Sequence, residues 1–187
     1  RVLVLDPGVP EYFDGPVTIE EKLNGYNVRI ARLDDEILAF TRSGYVCPFT
    51  TTLAGEYPLD AFFDDHPDTV VCGELVGPEN PYTTHDYEEV ETAALRVFDL
   101  RHRETGDPVP VPERRDLCTE YDLPAVPGFG THDPEEAPAA VREAVADLDD
   151  RGREGVVMKS ADGQRAVKYT TSAIHRADLS HAFDKPF

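Results

Sequence analysis

Lysine is scarce in this chain. Of 187 residues only four are lysine, Lys22, Lys159, Lys168 and Lys185, against 14 arginines and 37 aspartates and glutamates. The formal net charge of -19 repels polyanions and excludes a broad basic surface of the kind that binds nucleic acid by charge alone. That exclusion weakens in concentrated salt, where the Debye length falls to ~3 Å at 1 M. A lysine-poor, carboxylate-rich composition of this kind suggests a cytoplasmic protein of a salt-loving organism.

Other absences narrow the chemistry. Three widely spaced cysteines, Cys47, Cys72 and Cys118, fit neither a disulfide framework nor a zinc site, and read as buried thiols in a reducing compartment. No apolar run approaches ~20 residues, and no signal-peptide pattern is present. There is no glycine-rich cradle followed by Lys-Ser or Lys-Thr, which excludes a P-loop. The histidines lack metalloprotease spacing, and no serine or cysteine sits in a nucleophile elbow.

What is present is strand-rich. The length suits one domain with a sizeable core, and the ends read as cuts in a longer protein. Residues 2–5 read as a strand closed by Asp6-Pro7-Gly8. Val17-Thr18-Ile19-Glu20-Glu21-Lys22 alternates, placing Val17, Ile19 and Glu21 on one face and Thr18, Glu20 and Lys22 on the other. Residues 26–33 and 36–41 form a hairpin about Asp34-Asp35, and Gly44 makes a turn carrying Arg42. Leu59, Phe62 and Phe63 give a short helical face. Residues 69–77 and 94–100 are strands. Five prolines make residues 108–131 a long connection with at most short ordered pieces. Asp133-Pro134-Glu135-Glu136 starts a helix with the buried stripe Val141, Ala144, Val145 and Leu148, which ends at Gly152. Residues 155–160 and 165–170 make a second hairpin, and residues 175–181 begin one more helix. The expected class is α+β.

Scarcity makes the lysines informative, because Lys22, Lys159 and Lys168 lie in largely apolar strands where a cation needs a partner or a task. Snorkelling from a strand end accounts for any one of them alone. Together they read as a nucleophile, Lys22, with two cations converging on a phosphate. Glu74 and Glu154 are candidate hard-metal ligands or ribose acceptors, or else edge carboxylates paired with arginine. Phe98 is either core or a platform under a purine.

The ordered set Lys22-Leu23-Asn24-Gly25-Tyr26-Asn27, Thr41-Arg42-Ser43-Gly44, Gly73-Glu74-Leu75, Phe98-Asp99-Leu100, Glu154-Gly155-Val156-Val157-Met158-Lys159 and Val167-Lys168-Tyr169 resembles the covalent nucleotidyltransferases, which comprise DNA ligases, RNA ligases and messenger-RNA capping enzymes. Within that superfamily it is most similar to archaeal ATP-dependent RNA ligases. The resemblance implies an antiparallel-sheet adenylation domain over residues 1–187, cut at both ends, with an ATP groove between sheets. It implies that Lys22 is adenylated by ATP, that Glu21 reads the adenine amino group with Glu20 as a rival, and that Arg42 reaches the ribose or the nucleic acid. Glu74 would hold the ribose hydroxyls, Phe98 would stack on adenine, and Glu154 would bind Mg2+ or Mn2+. Lys159 and Lys168 would contact the α-phosphate. Asn24 and Asn27 stand where DNA ligases and capping enzymes usually carry Asp and Arg, and Asn27 fits an RNA-ligase pattern. Thr170 stands where a second lysine is common. The implied partner is RNA with 5′-phosphate and 3′-hydroxyl ends, and C-terminal elements beyond this chain are associated with homodimer formation. The alternatives are a DNA ligase, a guanylyl transferase or a non-catalytic nucleotide- or RNA-binding module. Arg29 and Arg42 are expected to form a local positive lane.

Overall fold

A computed structural model describes residues 5–82 and 87–172. Two compact units emerge. The first is built from the described residues up to Leu23 together with those from Pro127 onward, and the second is Asn24–Val126. The chain therefore leaves the first unit directly after Lys22-Leu23 and returns to it once.

The first unit is one four-stranded antiparallel sheet backed by helices. Its strands are β1 (Val17–Lys22), β6 (Gly128–His132), β7 (Gly155–Ser160) and β8 (Ala166–Thr170), in the order β6-β1-β7-β8. Val17 and Ile19 of β1 and Val156 and Met158 of β7 share a buried cluster with Val141, Ala144 and Leu148 of α5 (Ala137–Asp150). α1 (Leu5–Tyr12) adds Val9. These side chains alternate along both strands, as a sheet with one helix-covered face demands.

The second unit holds β2 (Tyr26–Leu33), β3 (Glu36–Thr41), β4 (Thr69–Val76) and β5 (Ala94–His102), in the order β3-β2-β4-β5. α2 (Pro48–Ala54), α3 (Leu59–Asp65) and α4 (Val111–Glu120) complete it. Val28, Ile30, Val71, Leu95, Val97 and Leu100 point into one core with Phe62 and Phe63 of α3. The expected α+β class and both hairpins are found.

Three expectations need correction. Residues 108–131 contain the ten-residue α4 and the strand β6. Pro110 and Pro112 sit at the cap and first turn of α4, where a missing N–H costs nothing. α1 is Leu5–Tyr12 with a kink at Asp6, whose φ -115 and ψ 123 are extended, so Pro7 and Gly8 lie in the helical part after it where a turn was expected. α5 starts at Ala137, with Pro138 in its first turn, because the N–H groups of Glu136 and Ala137 first bond the Asp133 carbonyl in a separate turn. The rest of the strand expected over residues 2–5 and the helix over 175–181 lie outside the described residues.

Candidate nucleotidyl-transfer site

In the first unit the ladder between β1 and β7 sets the site. Lys22 faces Gly155, Glu20 faces Val157 and Thr18 faces Lys159, while Val157 in turn faces Lys168 on β8. Directly opposed residues share a face of a sheet. Glu20, Lys22, Lys159 and Lys168 therefore lie on one face, opposite the α5 core. The Lys22 Nζ donates to Glu154 Oε1, and Lys159 Nζ lies 3.2 Å from Glu20 Oε2. Lys168 is exposed.

Glu21 points the other way. It is buried, with Oε1 3.6 Å from Arg153 Nη1. Glu20 shares the Lys22 face and is 1% exposed. Gly155, across from Lys22, has φ +143, and a Cβ there would lie 2.1 Å from the Tyr169 carbonyl oxygen. Only glycine lets β7 and β8 close at this point.

The second unit carries the other predicted residues on the outer face of its sheet. Asn27 is opposite Glu74, and Arg29 opposite Cys72. Glu74 Oε1 accepts from the Gly25 N–H at 3.2 Å, and its Oε2 accepts from Asn27 Nδ2 at 3.4 Å. Asn27 Oδ1 accepts from Arg29 Nη1 at 2.6 Å. The Arg29 guanidinium stands over the Phe98 ring, 5.7 Å from its centroid, within cation–π range.

Phe98 owes its direction to a register shift. Cys72 pairs with Asp99 and Gly73 with Val97, which leaves Phe98 as an extra residue on β5. Such bulges re-aim a side chain. Arg114 of α4, 0% exposed, donates from Nη1 to the Phe98 carbonyl at 2.5 Å.

Sequence reasoning missed the groups that brace the turn after Lys22. The Tyr87 hydroxyl accepts from the Asn24 N–H at 2.6 Å. Asn80 Nδ2 donates to the Leu75 carbonyl at 2.8 Å, and a Cβ on Gly25 would lie 2.3 Å from that same carbonyl oxygen. Tyr87 and Asn80 are buried loop residues, and nothing in a single sequence marks a loop residue as buried. Arg42 is exposed in the turn after β3.

Among the described residues no group of three or more His, Cys, Asp or Glu is placed to hold a metal. A single hard carboxylate such as Glu154 fits a cation of the Mg2+ type, which keeps most of its ligands as water and substrate phosphate.

Residues 15–170 match the RNA ligase family. The chain belongs to that family. An archaeal ATP-dependent RNA ligase of known structure is similar over the whole chain, with 48% identity and a TM-score of 0.95, and the match covers 51% of that protein. An uncharacterized protein of Methanocaldococcus jannaschii is 43% identical over 98% of this chain and 48% of its own length. A putative ATP-dependent DNA ligase from Aquifex aeolicus is 33% identical over the whole chain and 53% of its own, with a TM-score of 0.89. The chain thus spans about half the length of the relatives it matches. The nucleotidyltransferase-type fold of two antiparallel sheets is shared with the archaeal RNA ligase and the putative DNA ligase. No helix among the described residues is long and apolar enough to cross a membrane.

Proposed function

We propose that this chain carries the adenylating part of an ATP-dependent RNA ligase. The observation that carries the reading is the single sheet face on which Lys22, hydrogen-bonded to Glu154, lies with Lys159 and Lys168. Cations gathered on one face of a family member suit a reaction whose charge develops on phosphoryl oxygens.

In the first step the Lys22 nitrogen loses a proton and attacks the α-phosphorus of ATP. A P–N bond forms, the bond to the β-phosphate oxygen breaks, and pyrophosphate leaves. An oxygen of an RNA 5′-phosphate then attacks the same phosphorus, breaking the P–N bond and returning the amine. The RNA 3′-hydroxyl, losing its proton, finally displaces AMP and closes the phosphodiester. Lys159 and Lys168 hold the transferring phosphoryl oxygens, Glu74 takes the ribose hydroxyls, Asn27 and Arg42 serve the nucleotide or the RNA end, and Phe98 lies under the purine. Glu20 or Glu21 contributes to reading the adenine. Glu154 would hold Mg2+ or Mn2+, which supplies charge neutralisation for the leaving pyrophosphate.

The likeness to a putative DNA ligase favours a second reading with the same first step and a nicked DNA substrate. The acid-rich composition supports work at high salt, so the assays belong in molar KCl. Incubation with ATP and Mg2+ or Mn2+ should add one adenylate to the intact mass, GTP should add nothing, and Lys22→Ala should lose the adduct while keeping the wild-type melting curve. Absence of an adduct on the wild-type protein would refute the reading. Joining of single-stranded 5′-phosphorylated RNA against sealing of nicked DNA separates the two substrates.

A further inference from the structure

The described residues expose six large hydrophobic side chains, and three of them, Tyr45, Val46 and Phe49, lie within residues 45–49 of the second unit, which also exposes Tyr82. Tyr45 is 75% and Val46 53% exposed. Cys47 joins the group: its thiol is hydrogen-bonded with Tyr82 and lies 3.9 Å from the Tyr45 carbonyl oxygen. Tyr82 in turn stacks on Tyr26, with ring centroids 4.2 Å apart and planes 25° from parallel. Tyr26 opens β2, four residues after Lys22.

The charge around these rings is as unusual as their exposure. Acidic residues fill one position in five of the chain, 37 of 187, yet residues 37–55 contain none. The lone charged residue in that stretch is Arg42, exposed in the turn that leads to Tyr45. A surface that only had to stay soluble would carry carboxylates here as it does elsewhere. One that receives a polyanion must leave them out.

We propose that this aromatic surface, whose 37–55 segment carries no carboxylate, is where the unpaired end of the RNA docks, its bases stacking on Tyr45 and on the Tyr26–Tyr82 pair while Arg42 meets one phosphate. The proposal deepens the RNA-ligase reading and rests on it. Base–aromatic stacking needs no positive field and tolerates any sequence, so it suits a molecule too acidic to hold RNA by charge. Unstacked bases are also what distinguishes a free end from a duplex.

The salt dependence follows. Each phosphate neutralised on a single strand contributes a slope of about -0.7 to log K against log salt. Binding carried by stacking and one arginine should show a slope near that value and persist at high salt.

The test is fluorescence anisotropy of the purified protein with a short single-stranded oligoribonucleotide, without ATP, across a range of KCl. Intact-mass adenylation of each preparation runs alongside. Tyr45→Ala should weaken binding about tenfold at an unchanged salt slope, and Tyr45→Phe should restore it. Arg42→Ala should flatten the slope by about 0.7. A Tyr45→Ala protein that adenylates and binds RNA like wild type overturns the proposal. So does a variant whose sedimentation changes while RNA binding holds, because the patch is then a protein interface. A wild-type protein that binds RNA through Tyr45 yet never adenylates sinks the ligase reading and leaves the docking surface standing.

Discussion

Arg114 offers the sharpest test of how the second unit holds Phe98. Its guanidinium is fully buried and donates to the carbonyl of Phe98, the extra residue of the β5 bulge. In Arg114→Met the aliphatic stem still fills the space, so the cavity term is small. What is lost includes the hydrogen bond from a charged donor to the Phe98 carbonyl, about 1.5–3 kcal/mol. For a chain of this size each kcal/mol lowers the melting temperature by ~2–4 °C, so a fall of ~3–12 °C is expected. Denaturant titration should show a lower midpoint at an unchanged slope. On the reading of Phe98 as a purine platform, a slackened bulge should also raise the ATP concentration that half-saturates adenylation, measured well below the melting temperature. The rate at saturating ATP should hold, because binding and not the attacking group is affected. A stability loss below ~1 kcal/mol would refute the hydrogen-bond reasoning. A full loss with unchanged ATP dependence would cut the link from bulge to nucleotide.

Two further outcomes follow from the geometry. Gly155→Ala puts a Cβ 2.1 Å from the Tyr169 carbonyl oxygen at φ +143, and should cost ~3 kcal/mol or more; a denaturation midpoint equal to wild type would show that the β7–β8 ladder yields freely. The Tyr121 hydroxyl donates to Asp65 Oδ2 at 2.7 Å, and this bond pushes its pKa from 10.0 up to about 12. The folded state thus keeps a proton that the unfolded chain gives up earlier. The stability advantage over Tyr121→Phe should be whole below pH 10 and vanish as pH rises through about 12; a difference flat across that window counts against the bond.

The strands around Lys22 were readable because each alternates cleanly over a core face. The same alternation put Glu20, and not Glu21, on the Lys22 side, which is what β1 shows. α4 was hidden by its own core stripe, Val111, Arg114 and Cys118, in which a charged residue takes the middle position. The bulge at Phe98 was hidden because a period of two cannot register an extra residue. Unbulged alternation groups Leu95, Val97 and Asp99, whereas the structure groups Leu95, Val97 and Leu100 in the core and leaves both Phe98 and Asp99 outside it. Tyr87 and Asn80 brace the turn only because distant segments meet there.

The ion pairs on the β1–β7 face bear on why so few lysines survive in this composition. Glu20 and Lys159 are 1% and 6% exposed and sit 3.2 Å apart on the two central strands. A buried pair of this kind adds little to stability, since desolvation offsets most of the attraction and an apolar pair of equal volume holds strands together as well or better. Arginine, abundant elsewhere in the chain, would pair with Glu20 through a broader fork. A compact ammonium kept at this position, on the same face as Lys22 and Lys168, is therefore poorly explained by folding alone. On the adenylation reading proposed above, it would meet a transferring phosphoryl group as a point charge, with Glu20 holding Lys159 in place until then.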